Sequence, residues 1–418
     1  MKIPSMDSVF VPGTLTFILD ASFGSSGKGK LAAYLTKSGK VSFLVTSNSS
    51  NASHTVIDGG KKVVFKALPS GSFYHEQLDK VFISPGSSFK IQDLLNEIEQ
   101  TGIPRCKVMI HPRASVITEA DAAFERGEMD LDGKEVDGNH SGTIKTGSTC
   151  SGAGASLAKK VLRRGFSIAS DYPEIEDMIG VTETAIMDLL DSGSSGLFEV
   201  GQGFPLSLNH HRFAPNTTSR NVTVSSALND AMLPPIYAGP VILNFRTFPI
   251  RINSKKFVAA DGSHLTWEQV KSGIEHEVLE SYSGDWYPDQ EETTWEAIET
   301  ASGGLIEDSI KNTTLTKLPR RVATFSTINL EEAVRYNASH FGVYLSFNFM
   351  NHISNSVTDV TDPEVLFSDP KVNEWISNNI PPLYRDSVVF YGTGQGTDSF
   401  SIVGWTSPII PTYYDPDN

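Results

Sequence analysis

Residues Thr14 to Asp20 (TLTFILD) form a run of apolar and β-branched positions with almost no polar break, the pattern of a strand covered on both faces. A Gly/Ser segment follows it, and KLAAYLTK beyond that predicts a helix. Similar short runs return at Val41–Thr46, Lys62–Lys66, Leu197–Val200, Val241–Phe245, Val343–Phe349 and Ser387–Tyr391. Ala155–Arg164 predicts a helix with a basic end, and Glu331–Asn337 another. Strands alternating with helices predict an α/β fold with a largely parallel sheet. We read the chain as one domain. Within it the polar stretch Arg251–Asn312, which carries Trp267, Trp286 and Trp295, is either a small inserted subdomain or an extended loop. Asp132–Gly154, rich in Gly, Ser, Thr and Asp, predicts a long loop, and loops of that length are usually functional or disordered.

Composition narrows the function. Of 418 residues, 39% are hydrophobic and 20% charged, which suits a globular chain rather than a disordered one. The formal net charge is -15, and no run of Lys or Arg supplies the basic face that non-specific nucleic-acid binding needs. Cations instead gather in pairs: Lys28 with Lys30, Arg163 with Arg164, Arg320 with Arg321. Two cysteines, Cys106 and Cys150, favour a reducing compartment. The first ten residues lack a signal-peptide pattern, and no stretch of 18 apolar residues occurs. A cytoplasmic chain with no membrane partner is expected.

The strongest motif is Gly24-Ser25-Ser26-Gly27-Lys28-Gly29-Lys30, between a predicted strand and a predicted helix. Glycines let backbone N–H groups approach phosphates, and a helix N-terminus favours anions. The spacing fits a P-loop, but Leu31 stands where Ser or Thr would hold magnesium. The residues alone leave a second reading, a surface turn with two solvated lysines.

Further segments follow in order. They are Asn51-Ala52-Ser53-His54-Thr55, KALPSG from Lys66 to Gly71, and Gly147 to Gly154 (GSTCSGAG). KVLRRG from Lys160 to Gly165, Phe198-Glu199-Val200-Gly201-Gln202-Gly203, Thr217 to Asn221 (TTSRN) and Arg320-Arg321 complete the series. Together with the glycine-lysine loop it resembles the adenylosuccinate synthetases, whose corresponding motifs read GDEGKGK, NAGHT, GTTGRGIG, FEGAQG and VTSSN. That resemblance implies an adenylosuccinate synthetase-like, P-loop-related fold with accessory subdomains. It implies a homodimeric ligase that phosphorylates the purine 6-oxygen and then displaces phosphate with an amine.

Carried over by position, Asn51, Thr149 and Thr218 would bind the 5′-phosphate of a purine monophosphate, and Arg163 would reach it from the second subunit. Gln202 would contact the purine near its 6-oxygen, and Ser25, His54 and Gln202 would be the catalytic set. Gly24, Ser26, Gly27, Lys28, Gly29, Lys30, Thr55 and Gly394 would bind the nucleoside triphosphate. Thr316, Arg320 and Arg321 would hold the carboxylates of aspartate, and Ser25 and Ser53 would face magnesium (Mg2+). Histidine suits the leaving phosphate, because it donates a hydrogen bond and changes protonation near neutral pH.

Three departures sharpen the expectation. Ser25 replaces the aspartate that takes a proton from N1 of IMP, and a hydroxyl is a weak base. One branch, the 2-aminoadenylosuccinate synthetases of phages and related sources, is similar in carrying serine there; it uses guanine nucleotides to make diaminopurine. A shorter side chain leaves room for the amino group at C2. Next, Leu345 to Asn351 holds no carboxylate where the family recognises GTP, which points to ATP or dATP. Finally, Ser151 stands where the family has an arginine, which leaves the amino acid less defined than the reaction. The expected reaction joins aspartate to (d)GMP at the cost of ATP. An IMP-specific synthetase and a non-catalytic nucleotide binder are the alternatives.

Overall fold

The structure is a computed structural model. It describes residues 9–136, 148–252, 255–263, 265, 269–270, 272–280, 283–312, 319–403 and 407–410. Among the described residues nine strands form the central sheet. In chain order they are β1 (Leu15–Asp20), β2 (Phe43–Thr46), β3 (Lys80–Ile83), β4 (Val108–Ile110), β5 (Gly196–Gly203), β6 (Ala238–Arg246), β7 (Val343–Asn348), β8 (Val388–Gly392) and β9 (Phe400–Ile402). Across the sheet they run β9-β8-β7-β6-β1-β5-β2-β3-β4. Every pair is parallel except β8 with β9. The largely parallel α/β sheet expected from the sequence is therefore present.

β1 lies at the centre because both of its faces are apolar. Leu15, Phe17 and Leu19 enter one core cluster with Phe198, Leu243 and Phe245, while Ile18 enters the other with Leu197 and Ile242. Phe17 stacks on Phe198 at 5.3 Å between ring centroids. A strand covered twice is a rigid base for the loop at its C-terminal end, where open parallel sheets bind ligands.

The predicted run Lys62–Lys66 lies outside the central sheet. It forms an antiparallel hairpin, Lys61–Phe65 against His54–Asp58. Strands β3, β4 and β9 have no counterpart among the strands expected from the sequence; runs of three or four residues are too short to show a period. Helix α1 (Lys28–Lys37) and helix α2 (Ala153–Leu162) begin two residues or fewer from their predicted starts. Part of the predicted long loop, residues 137–147, lies outside the described residues.

The stretch Arg251–Asn312 contains regular structure. It includes a hairpin of Lys255–Ala259 with His276–Glu280, a short strand Glu292–Thr293 that pairs with Arg321–Ala323, and a helix Trp295–Ser302. Trp295 packs with Ile250, Ile298, Ile306 and Val322 in a small cluster of its own. No helix among the described residues is long and apolar enough to cross a membrane.

Candidate active site

The chain leaves β1 at Asp20 and turns through Gly24–Gly27 into α1. Gly24 and Gly27 take φ of 97° and 85°, where only glycine is unstrained. Ser25 is also left-handed, with φ of 54°, and it is held there: the Arg246 Nη1 donates to its carbonyl at 2.9 Å. Asp20 braces the loop from beneath by accepting the N–H groups of Ser22 at 2.8 Å and Ser26 at 3.1 Å. Burial raises the Asp20 pKa, and Lys28 opposes that rise. Asn244 Nδ2 donates to Ser26 Oγ at 2.8 Å. Ser25 stays exposed.

Lys28 and Lys30 occupy the first turn of α1 at 3% and 6% exposure, and no acidic residue shares that turn. Cations at a helix N-terminus oppose its dipole, by about 0.3–1 kcal/mol each at the surface and more when buried. Burial lowers the Lys28 pKa, while Glu199 and Asp20 act to raise it. Such a concentration of positive ends is completed by an anion, the arrangement that phosphate binding requires. Lys28 Nζ donates to the carbonyl of Val200, and Lys30 Nζ to those of Gly394 at 2.8 Å and Ser399 at 3.1 Å.

The hairpin starting at His54 packs on α1, and Gly29 makes this possible. A Cβ at Gly29 would lie 2.7 Å from both His54 Cβ and Ser70 Oγ. His54 Nδ1 is 2.7 Å from Glu199 Oε1, and Glu199 also accepts from Ser70 N at 2.6 Å and Ser70 Oγ at 2.8 Å. Burial pushes the Glu199 pKa up, but His54, Lys28 and the Ser70 N–H outweigh it and hold the carboxyl at about 2. Glu199 is thus an anion at neutral pH. It fixes the imidazole through Nδ1 and leaves Nε2 for a ligand.

Gln202, at the end of β5 with φ of 69°, donates through Nε2 to Asn51 Oδ1 at 2.6 Å. Two residues assigned to the purine nucleotide therefore meet. Ser53 and Thr55 flank His54 and are exposed. Thr218 donates its N–H to Leu206 O at 2.7 Å, Thr149 is exposed ahead of α2, and Arg163 is exposed at the C-cap of α2.

Of the expected aspartate-binding residues, Thr316 lies outside the described residues. Arg320 is half-buried and donates to Ile310 O at 2.9 Å, and desolvation pushes it down to about 10. Arg321 makes a two-pronged ion pair with Glu292, at 2.9 and 2.6 Å, and donates to Ser283 Oγ and Gly284 O. Arg246, pushed down to about 9 by burial and then by Arg320, belongs to the same positive region.

Sequence reasoning assigned no role to Glu199, Asp20, Arg246 or Glu125. Glu125 accepts the N–H groups of Gly152, Gly154 and Ala155 at 2.8, 2.7 and 3.2 Å, which sets the start of α2. A signal existed for Glu199: a carboxylate inside the apolar run Leu197–Val200 must be paired.

A lysine-bearing phosphate loop, a carboxylate-backed histidine and a nearby amide pair together suit phosphoryl transfer onto a bound nucleotide. Comparison with known proteins agrees. Residues 17–172 match the family model described as adenylosuccinate synthetase. The chain is 30% identical over 347 residues to the N6-succino-2-amino-2'-deoxyadenylate synthase of Vibrio phage phiVC8, across 81% of this chain and 86% of that protein. The protein of the same name from Cyanophage S-2L is also 30% identical, across 82% and 85%. The solved structure of Cyanophage S-2L succinoaminodeoxyadenylate synthetase, bound to dGMP and to dATP as an energy donor, aligns with a TM-score of 0.67. It is 27% identical and covers 93% of this chain and 95% of that one. Fully ligated adenylosuccinate synthetase from Plasmodium falciparum aligns with a TM-score of 0.67 at 14% identity, a likeness of fold. The chain belongs to the adenylosuccinate synthetase family, and it is a ligase that forms C–N bonds.

The Glu199 charge gives a pH-dependent prediction. Its pKa is about 2 in the fold against an ordinary 4.5, so its stabilisation is present above pH 4.5 and is lost as pH falls towards 2. Glu199→Gln should cost roughly 2–4 kcal/mol at pH 7 in urea unfolding. The gap to wild type should narrow steadily below pH 4.5; a gap that stays constant down to the acid limit would contradict the assignment.

Proposed function

We propose that this enzyme ligates L-aspartate to C6 of dGMP or GMP, with ATP or dATP as phosphate source, giving 2-amino-(d)adenylosuccinate, the nucleoside diphosphate and phosphate. The observation that carries the reading is Ser25. It is a short neutral side chain on the exposed side of the phosphate loop, while the loop's own carboxylate, Asp20, is buried and engaged with Ser22 and Ser26. A hydroxyl there leaves space for the guanine 2-amino group and accepts its hydrogen bond. The phage relatives, named for the deoxyadenylate product, and the solved relative with dGMP and dATP support the same substrates.

In this reading the purine 6-oxygen attacks the terminal phosphorus of the triphosphate as N1 gives up its proton to solvent beside the exposed Ser25, and the nucleoside diphosphate leaves. The amine of aspartate then attacks C6 and expels phosphate together with the original 6-oxygen. Gln202, held by Asn51, orients the purine at that oxygen. Lys28 and the N-terminus of α1 stabilise charge on the transferring group. His54, fixed by Glu199, donates through Nε2 to the phosphoryl oxygens as they leave. Arg320, with Arg246 behind it, supplies positive charge for the carboxylates of aspartate.

Magnesium fits as an ion carried in by the triphosphate. Among the described residues no group of three or more His, Cys, Asp or Glu forms a protein cage. Ser25 and Ser53 are exposed and would each offer an oxygen, and Mg2+ keeps few protein ligands and takes the rest from water and phosphate. When bound it neutralises charge on the phosphates.

A homodimer is part of the proposal. Val161, Leu162 and Met232 are exposed at 71%, 57% and 62%, and the first two directly precede Arg163. Val161 and Met232 border a depression shared with Lys160, Arg220 and Asp230. A second copy that covers this surface would bring its own Arg163 towards the phosphate-binding loops. A count of two cysteines in 418 residues supports a reducing cytoplasm as the place of action.

His54→Ala should lower kcat by roughly two to four powers of ten. Activity within a factor of a few would remove the histidine from the mechanism. Ser25→Asp should shift turnover from dGMP towards IMP, read by mass spectrometry of the products with each monophosphate; unchanged preference would undo the steric account. Val161→Glu should convert a dimer to a monomer in light scattering. If wild type is itself monomeric at working concentration, the dimer proposal fails.

A further inference from the structure

Lys30 lies in the phosphate motif, yet its ammonium points to the other end of the chain. Two of its contacts are the carbonyls of Gly394 and Ser399, and the Phe400 ring lies beneath it at 3.9 Å. Two carbonyls and a ring face account for the three ammonium hydrogens. Burial pushes Lys30 down to about 7, and Asp359 is the one carboxylate that opposes this.

The segment it grips, Gly392–Ser399, is built tightly. A Cβ at Gly394 would fall 1.8 Å from Asp359 Oδ1, and one at Gly392 would fall 1.8 Å from Asn348 Oδ1. Ser399 Oγ donates to Asp359 Oδ1 at 2.5 Å. At its far side Thr397 donates through both N and Oγ1 to Ile57 O, at 3.0 and 3.1 Å, in the hairpin that begins with His54. Asn348, which packs on Gly392, also lies against Gly27 of the phosphate loop: a Cβ at Gly27 would be 3.2 Å from Asn348 Cγ. Phosphate loop, histidine hairpin and C-terminal segment therefore meet around one buried ammonium.

We propose that Lys30 is a positioning residue for the base of the triphosphate and not a ligand of its phosphates. It would hold Gly392–Ser399 as a seat for the adenine at a fixed distance from the phosphate loop, leaving Lys28 as the loop lysine that meets phosphate. The proposal rests on the reading above that ATP or dATP is the phosphate source.

The test is calorimetric binding, without turnover, of ATP and of inorganic tripolyphosphate, which has phosphates and no base. Lys30→Met should weaken ATP by about tenfold or more and tripolyphosphate by less than about twofold. Asp359→Asn, on an exposed residue whose φ of 57° suits asparagine, should shift ATP in the same direction by less, and it guards against a Lys30 variant that fails to fold. Equal weakening of both ligands would make Lys30 a phosphate ligand and overturn the proposal, as would unchanged ATP binding in both variants. If wild type binds ATP no better than tripolyphosphate, the premise that this loop receives a base fails, separately from any role of Lys30.

Discussion

A carboxylate with almost no solvent, Glu199, is the constraint around which this site is organised. It sits on β5, beside the central strand β1, and is charged only because His54, Ser70 and Lys28 converge on it. An isolated buried carboxylate would cost far more than a marginally stable fold can bear. Those partners come from the hairpin, the KALPSG turn and the phosphate helix. Keeping one charge solvated by protein thus fixes three segments relative to one another. The same contacts commit Nδ1 of the imidazole and leave Nε2 to the substrate side.

The charge balance extends outward from there. Lys28, Lys30 and Arg246 are buried cations and Arg320 a half-buried one, all with lowered pKa values, and the nearby acids, Asp20, Glu199 and Asp359, only partly offset them. A protein of net charge -15 thus holds a local excess of positive charge at the C-terminal ends of its central strands. Anionic substrates complete that region, and what binds the folded state stabilises it. By contrast, the exposed pairs of Lys37 with Asp58 and Asp398 are worth about 0–1 kcal/mol and tie down only the rim.

Much of this site is legible in the amino-acid sequence alone. The glycines of the phosphate loop and their place between strand and helix read directly, because only glycine accepts the backbone angles found at Gly24 and Gly27. Asn51, His54 and Gln202 stand out through motif resemblance, and the fold does bring Asn51 to Gln202. Pairing across distance is what the sequence hides. Glu199 meets His54 from 145 residues away, and Arg246 reaches Ser25 from 221. Tertiary contacts of that span leave no local period. Strands β3 and β4 are too short to leave one. Arg321 reads as a substrate ligand but is engaged by Glu292, a residue whose place on a neighbouring strand nothing local announces.

The purine 6-oxygen becomes part of a phosphate leaving group beside His54 in the proposed reaction. Its most direct test is oxygen transfer. With dGMP labelled with heavy oxygen at position 6, plus aspartate and ATP, the isotope shift of phosphorus resonances reports where the label goes. The expected result is one labelled oxygen in inorganic phosphate for each succino product formed. Label recovered in water, with phosphate unlabelled, would contradict the mechanism and the roles given to His54, Glu199 and Gln202.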